Sequence, residues 1–403
     1  GEYASAQEAC QKALAELSLL PKSDEVQGLQ AHACRWLARI HEFRGEYGEA
    51  LHWIHQGLSA LQEQENSEAI ELHLLAGLIH VRQGDYAEAL DECRQGLRIA
   101  QTVNAPAVLA RAYNLLGVIH LSDTTQLAID PLQRAIALYE QVGDIRGQAT
   151  SFNLMAGAYF NLGQWDQAEA YYQKSCEIFE KVGDAYHCIF ARNNLGGIAL
   201  NQGRLDEALE LYQQALGMLE QNVSSPYVRG VLHNNLGAVY IQRGELEAAE
   251  VHLQTGKSCF EPAQSRDILP ELYRLFAEVD LAGDKFEEAK VHGEQALLLA
   301  RELAVHADEG KVLRVLGEVS LARGELAQAA AHLQQSLELL EKAGETYEKA
   351  RSQLALAALY VRQGYRQMAA LVLDQCIPTF ERLGAERDLL RARALKAPLD
   401  VES

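Results

Sequence analysis

The chain has 403 residues and a formal net charge of -20, from 36 Lys and Arg against 56 Asp and Glu. That acid excess excludes a nucleic-acid-binding solenoid, because phosphate contacts need a basic stripe, and it suits a basic or neutral partner. No apolar run approaches the length of a membrane span and no signal-peptide pattern occurs, so neither nucleic acid nor membrane is expected as a partner. Seven cysteines, an odd number without Cys-x-x-Cys, read as reduced packing residues in a cytoplasm.

In chain order, the segment Gly1-Glu2-Tyr3-Ala4-Ser5-Ala6 matches Gly45-Glu46-Tyr47-Gly48-Glu49-Ala50. Residues 1–22 therefore read as a leading second helix that starts at a turn, and a first helix upstream is expected, as in a piece of a longer protein. Residues 23–384 then hold nine repeats of about 40 residues, with turns at Gly45, Gly84, Asp123, Gly163, Gly203, Gly244, Asp284, Gly324 and Gly364. Five residues past each turn sits an alanine, from Ala50 and Ala89 through Ala168 and Ala208 to Ala369. Seven residues later the position is small again, as at Gly57, Ser175, Ala215 and Cys376, and a third small series precedes the turns, as at Ala38, Gly117, Gly196 and Ala357. Small side chains at three points per unit mean helices crossing in close contact. Larger apolar residues recur around them at helical spacing, as in Phe152, Met155, Ala156 and Tyr159.

First helices of 14 to 16 residues and slightly longer second helices are expected. Asp144 and Asp184 after glycine, and Ser225 before Pro226, read as N-caps. Pro378 lies inside the last second helix and should kink it. Glu386 to Lys396 reads as a short helix whose polar face caps the last repeat, with Ala397 to Ser403 frayed. One continuous elongated domain over 1–403 is expected, because no unit buries its apolar stripe alone and neighbours must stack.

The spacing of the small residues resembles the tetratricopeptide repeat (TPR), whose small hallmarks fall at the eighth, twentieth and twenty-seventh positions. Eight units keep the twelve-residue gap, as in Gly196 to Ala208, and the third shortens it by one, from Gly117 to Ala128. The units depart from the family's usual period of about 34, and they lack its closing proline. The longer unit, with Asn-Leu-Gly in the first helix, resembles the TPR arrays of kinesin light chains, spindle-orientation adaptors and bacterial maltose-regulator-like proteins. What this implies is an all-α fold, a right-handed α-solenoid. The run Leu313-Arg314-Val315-Leu316-Gly317-Glu318-Val319, with Phe380-Glu381-Arg382-Leu383-Gly384-Ala385 later, resembles the tail of bacterial multidomain signalling ATPase or cyclase-type regulators. That implies a sensor or scaffold arm.

The chain has no phosphate loop, nucleophile elbow or His-Glu-x-x-His motif, so no enzyme activity and no cofactor are expected. His41, His80 and His120 share one slot in successive first helices, but Tyr159, Tyr240 and Tyr360 fill it elsewhere, which reads as packing. His52 and His55 lack a readable ligand set, and no metal site is expected.

The expected recognition residues are asparagines on the stripe of each first helix rotated by roughly 100 degrees from the core stripe. Asn114, Asn153, Asn193 and Asn234 hold one slot in four consecutive repeats, Asn194 and Asn235 a second, and Asn161 and Asn201 a third nearer the helix end. Amides present donor and acceptor at each step, which suits an extended peptide. The alternative is that they only stabilise stacking. Arg35, Arg111, Arg274 and Arg314 flank the ladder and would pair with acidic side chains or a terminal carboxylate. The Lys and Asn set of a carboxylate clamp is missing. The expected function is a scaffold or sensor arm that binds a protein segment in its groove. The alternatives are an intramolecular clasp on an upstream domain and a small-ligand or signal-peptide receptor, the last requiring a closed pocket.

Overall fold

The structure, a computed structural model, describes residues 2–62, 64–83, 85–123, 125–222, 225–263, 267–303 and 305–400. These residues form twenty α-helices and one 3-10 turn, with no strand among them. A leading helix α1 (Glu2–Leu17) precedes nine hairpins. They are α2 and α3 (Asp24–Phe43, Tyr47–Leu61), α4 and α5 (Ser67–Gln83, Tyr86–Thr102), and α6 and α7 (Pro106–Asp123, Ile129–Val142). Next come α8 and α9 (Ile145–Asn161, Trp165–Lys181), α10 and α11 (Ala185–Gln202, Leu205–Asn222), and α12 and α13 (Pro226–Arg243, Leu246–Ala263). The last three are α14 and α15 (Leu269–Ala282, Phe286–Glu302), α16 and α17 (His306–Ala322, Leu326–Ala343), and α18 and α19 (Thr346–Gln363, Arg366–Leu383); α20 (Glu386–Asp400) closes the chain.

The small slots are buried at helix crossings as the sequence predicts. Every alanine of the second-helix series, Ala50 to Ala369, has no exposed surface. Most first-helix glycines meet the side chain four residues past that alanine: a Cβ on Gly196 would lie 2.7 Å from the Tyr212 ring, and one on Gly317 2.7 Å from Leu333, whereas one on Gly77 would meet Leu115 of the next repeat at 3.0 Å. Contact this close leaves no room for a larger side chain. Gly45, Gly163, Gly203, Gly244, Gly324 and Gly364 take left-handed backbone at the turns, and Asp284 does so at φ 58°. The turn at Gly84 and the first residue fall outside the described residues. In the third repeat a 3-10 turn, Thr125–Ala128, replaces the start of the second helix, which accounts for the shortened gap.

Asp144, Asp184 and Ser225 cap their helices, accepting from the amides of Gly147 (2.9 Å), His187 (3.2 Å) and Val228 (3.4 Å). The expected helix lengths need correction. First helices run 14 to 20 residues and second helices 14 to 18, because two-residue junctions such as Gly143-Asp144 let the next helix begin at once. Helix α19 runs through Pro378. Helix α20 runs to Asp400 rather than ending at Lys396. It is tied to α19 by Arg393 on Glu381 (2.6 Å) and Lys396 on Asp374 (2.5 Å), and the Arg366 guanidinium donates to the Pro398 carbonyl (2.7 Å). Residues 401–403 of the expected frayed tail lie outside the described residues.

Packing divides the chain into two compact units, Gly1–Ala158 and Tyr159–Ser403. In the first, Ile54, Ile70, Leu72 and Ile79 centre a continuous apolar core. The second unit closes on itself. Its beginning, around Gly163, Trp165 and the end of α10, meets α18, α19 and the start of α20. The Trp165 and Tyr347 rings meet edge to face with centroids 5.0 Å apart. The Arg382 guanidinium donates to the Gly163 carbonyl (2.9 Å), and the Gln202 amide donates to the Leu383 carbonyl (3.2 Å).

Candidate functional site

The second unit holds a half-open cavity of about 650 Å³. One wall is amide. Asn193, Asn194 and Asn201 reach it from α10 and Asn235 from α12. Asn235 Nδ2 donates to Asn193 Oδ1 at 2.7 Å, and Asn193 Nδ2 donates to Asn194 Oδ1 at 3.4 Å. Asn194 also bonds the buried Tyr172 hydroxyl. Asn193 of one slot and Asn235 of the neighbouring slot thus join the two asparagine columns into a short chain across the repeat boundary.

The opposite wall is ionic and is built by α14, α16, α18 and α20. Arg274 grips Glu271 with two bonds, of 2.8 and 2.5 Å, and reaches Glu278 at 2.5 Å. Arg314, only 1% exposed, contacts Glu278 (3.1 Å), Glu318 (3.3 Å) and Glu348 (3.4 Å). Arg351 lies 3.2 Å from Glu348 and 3.9 Å from Asp388, whose carboxylate accepts from the Tyr347 hydroxyl (2.9 Å). Burial pushes the Glu278 carboxyl up, but Arg274, Arg314 and Arg351 outweigh it and hold it at about 2. Burial opposes and the same arginines, led by Arg351, depress Glu348. Asp308 is shifted the other way: burial raises it, and Lys311 only partly offsets this.

The expected site residues divide. Asn193, Asn194, Asn201, Asn235 and Arg274 line this cavity. Asn234, in the same slot as Asn193, is 1% exposed with neither amide atom hydrogen-bonded among the described residues, and its Oδ1 presses on Gly256. Asn153 keeps a buried Oδ1 without a hydrogen bond among the described residues, and Asn161 is exposed at the end of α8. Arg35, Arg111 and Asn114 belong to the first unit, where they line a separate cavity of about 520 Å³. There Arg35 pairs with Glu68 (2.8 Å), Arg111 with Glu71, and Asn114 Oδ1 accepts from Ser151 (2.8 Å). All four expected arginines therefore find acidic side chains of this chain.

What the sequence reading missed is the ionic wall, although a signal was present. Asp308, Glu348 and Asp388 recur every 40 residues, as do Lys311, Arg351 and Arg391. The two columns lie three residues apart, on one helix face. Of the histidines singled out, His41 pairs with Glu46 (2.5 Å) and His52 bonds Gln56 (3.0 Å). Among the described residues the one cluster of three side chains able to ligate a metal is Cys176, Glu180 and Cys188.

A profile of the MalT-like TPR region matches residues 128–399, and tetratricopeptide repeat profiles match 68–141 and 31–56. No curated protein matches the chain in sequence. Among solved structures it is similar to a Rap protein complexed with Competence and Sporulation Factor, at TM-score 0.69 and 16% identity over 91% of this chain and 100% of that one. It is also similar to the apo quorum sensor NprR from B. thuringiensis, at 0.61 and 16%, covering 84% and 99%. A third is the Rap conjugation gene regulator of plasmid pLS20 in complex with a Phr peptide, at 0.58 and 14%, covering 86% and 97%. At these identities the likeness is one of fold. With two thirds of its length matched by one family profile and helix crossings of the repeat type throughout, the chain belongs to the MalT-like TPR family.

Proposed function

We propose that this chain is a non-catalytic recognition arm that binds an extended peptide segment, basic or neutral in charge, in the half-open cavity of its second unit. The carrying observation is the pairing of an amide wall with an ionic wall across one cavity. The amides of Asn193, Asn194 and Asn235 suit the repeating N–H and C=O of a peptide backbone. On the cavity surface acidic side chains outnumber basic ones seven to five, which favours a ligand without net negative charge. The volume lies within the range of sites that bury a single small ligand. The peptide-bound state of the pLS20 Rap regulator agrees with this reading. A larger bacterial signalling protein carrying this arm, with the cavity reporting to an upstream domain, fits the same picture.

The test is selection from a library of short random peptides, followed by titration calorimetry on wild type and on the double variant Asn193→Ala, Asn235→Ala. Two hydrogen bonds at about 0.5 to 1.5 kcal/mol each predict a loss of about 1 to 3 kcal/mol in binding with little change in melting. Intact binding combined with lost stability would make the amide chain purely structural and defeat the proposal.

A further inference from the structure

Cys176, on α9, and Cys188, on α10, are joined across a repeat boundary in a way no other cysteine is. Their sulfurs lie 3.2 Å apart. Arg192, one turn beyond Cys188, donates from Nε to the Cys188 sulfur (3.4 Å) and pairs through Nη2 with Glu180. The Glu180 carboxylate in turn lies 3.6 Å from the Cys176 sulfur. The same carboxylate lies 3.8 Å from the Cys188 sulfur, so what distinguishes the two is the guanidinium on Cys188, which favours the thiolate there and the proton on Cys176. The Cys176 thiol, opposed by burial and helped by Arg192, holds Cys188 below the ordinary thiol value. Cys34, Cys93 and Cys376 have no neighbouring thiol, and burial pushes them up to about 11, 12 and 11. The pair is also close enough that an approach of about 1 Å makes a disulfide, whose bond is about 2.05 Å long.

We infer that Cys176 and Cys188 are a dithiol oxidised by a peroxide to an intramolecular disulfide that staples α9 to α10. The Cys188 thiolate attacks one oxygen of hydrogen peroxide; an S–O bond forms, the O–O bond breaks, and the departing hydroxide takes the Cys176 proton to become water. The Cys176 thiolate then attacks the sulfenic sulfur; the S–S bond forms, the S–O bond breaks, and this hydroxide takes a proton from solvent. Two thiols lose two electrons and one peroxide becomes two waters. A small oxidant is required, because Cys176 is 8% exposed and Cys188 not at all. The alternative use of the cluster, as a metal site with Glu180, is disfavoured because Arg192 puts a positive charge among the ligands. The staple would lie one turn from Asn193, on the helix that carries the amide wall. It does not depend on what that wall binds.

The test treats the full chain with hydrogen peroxide and maps it by mass without reduction. The expected result is loss of two hydrogens in a peptide pair joining Cys176 to Cys188, abolished in Cys188→Ser. Arg192→Met should slow disulfide formation about tenfold at pH 7, with the rate rising more steeply with pH than in wild type. Oxidised glutathione, too large for the site, should leave the pair reduced while it modifies the half-buried Cys10 and Cys259. Three results would overturn the inference: over-oxidation of Cys188 without a cross-link, complete oxidation of Cys10 and Cys259 with the pair untouched, or a stoichiometric metal on the thiols that a chelator removes.

Discussion

Closure of the second unit is testable through Trp165 and Tyr347, which stand on its first and last hairpins. Trp165 is 3% exposed; its ring stacks on Phe160 (5.7 Å) and receives the edge of Tyr347 (5.0 Å). Truncating a buried aromatic costs about 3 to 5 kcal/mol, the loss expected for Trp165→Ala, and Tyr347→Ala, at a partly buried ring, should cost less. Tyr347 also loses its hydroxyl bond to Asp388, and Trp165 its stack on Phe160, but those terms cancel in a double-mutant cycle. What remains is the ring pair itself, expected at about 0.5 to 1.5 kcal/mol. Urea denaturation of wild type, both single variants and the double variant gives this coupling. If the two losses simply add, the rings do not meet in solution and the closure of the second unit loses its basis.

Ala208→Leu should cost about 1 to 3 kcal/mol by overpacking, because Ala208 has no exposed surface and its helix lies against Gly196; an unchanged melting temperature would undo the repeat register. Arg314→Met removes one of the positive charges shared by Glu278, Glu318 and Glu348; because Glu278 keeps Arg274 and Glu348 keeps Arg351, it should cost about 1.5 to 3 kcal/mol, the worth of a hydrogen bond to a charged group, measured as a fall in denaturation midpoint. The Glu278 carboxyl is depressed in the folded state, so the stability it contributes is fully present above the ordinary carboxyl range and disappears as pH falls from about 4.5 through about 2. Stability should fall over that window in wild type and fall less in Glu278→Gln, as read by urea titrations at stepped pH; equal slopes in the two proteins would remove Glu278 as the cause.

The sequence by itself determined the helices, their hairpin pairing and the positions where they touch. Those features follow from local chemistry: left-handed turns at Gly163 and Gly203, caps at Asp144 and Asp184, and a crossing at Ala208 that admits only a small side chain. It also identified Asn193, Asn194, Asn201, Asn235 and Arg274, which do line the cavity. A repeat pattern gives each slot the same local surroundings, so it could not separate Asn193 from Asn234, one on the cavity wall and the other packed on Gly256. Nor could it show that Arg274 and Arg314 are met by glutamates of their own and neighbouring repeats, or that Cys176 and Cys188 face each other across a helix pair. Only the tertiary structure decided that Trp165 reaches Tyr347 and Gly163 reaches Arg382. That meeting depends on the small rotation between successive repeats, which no single repeat encodes and which accumulates until the ends of the second unit come together beside the cavity.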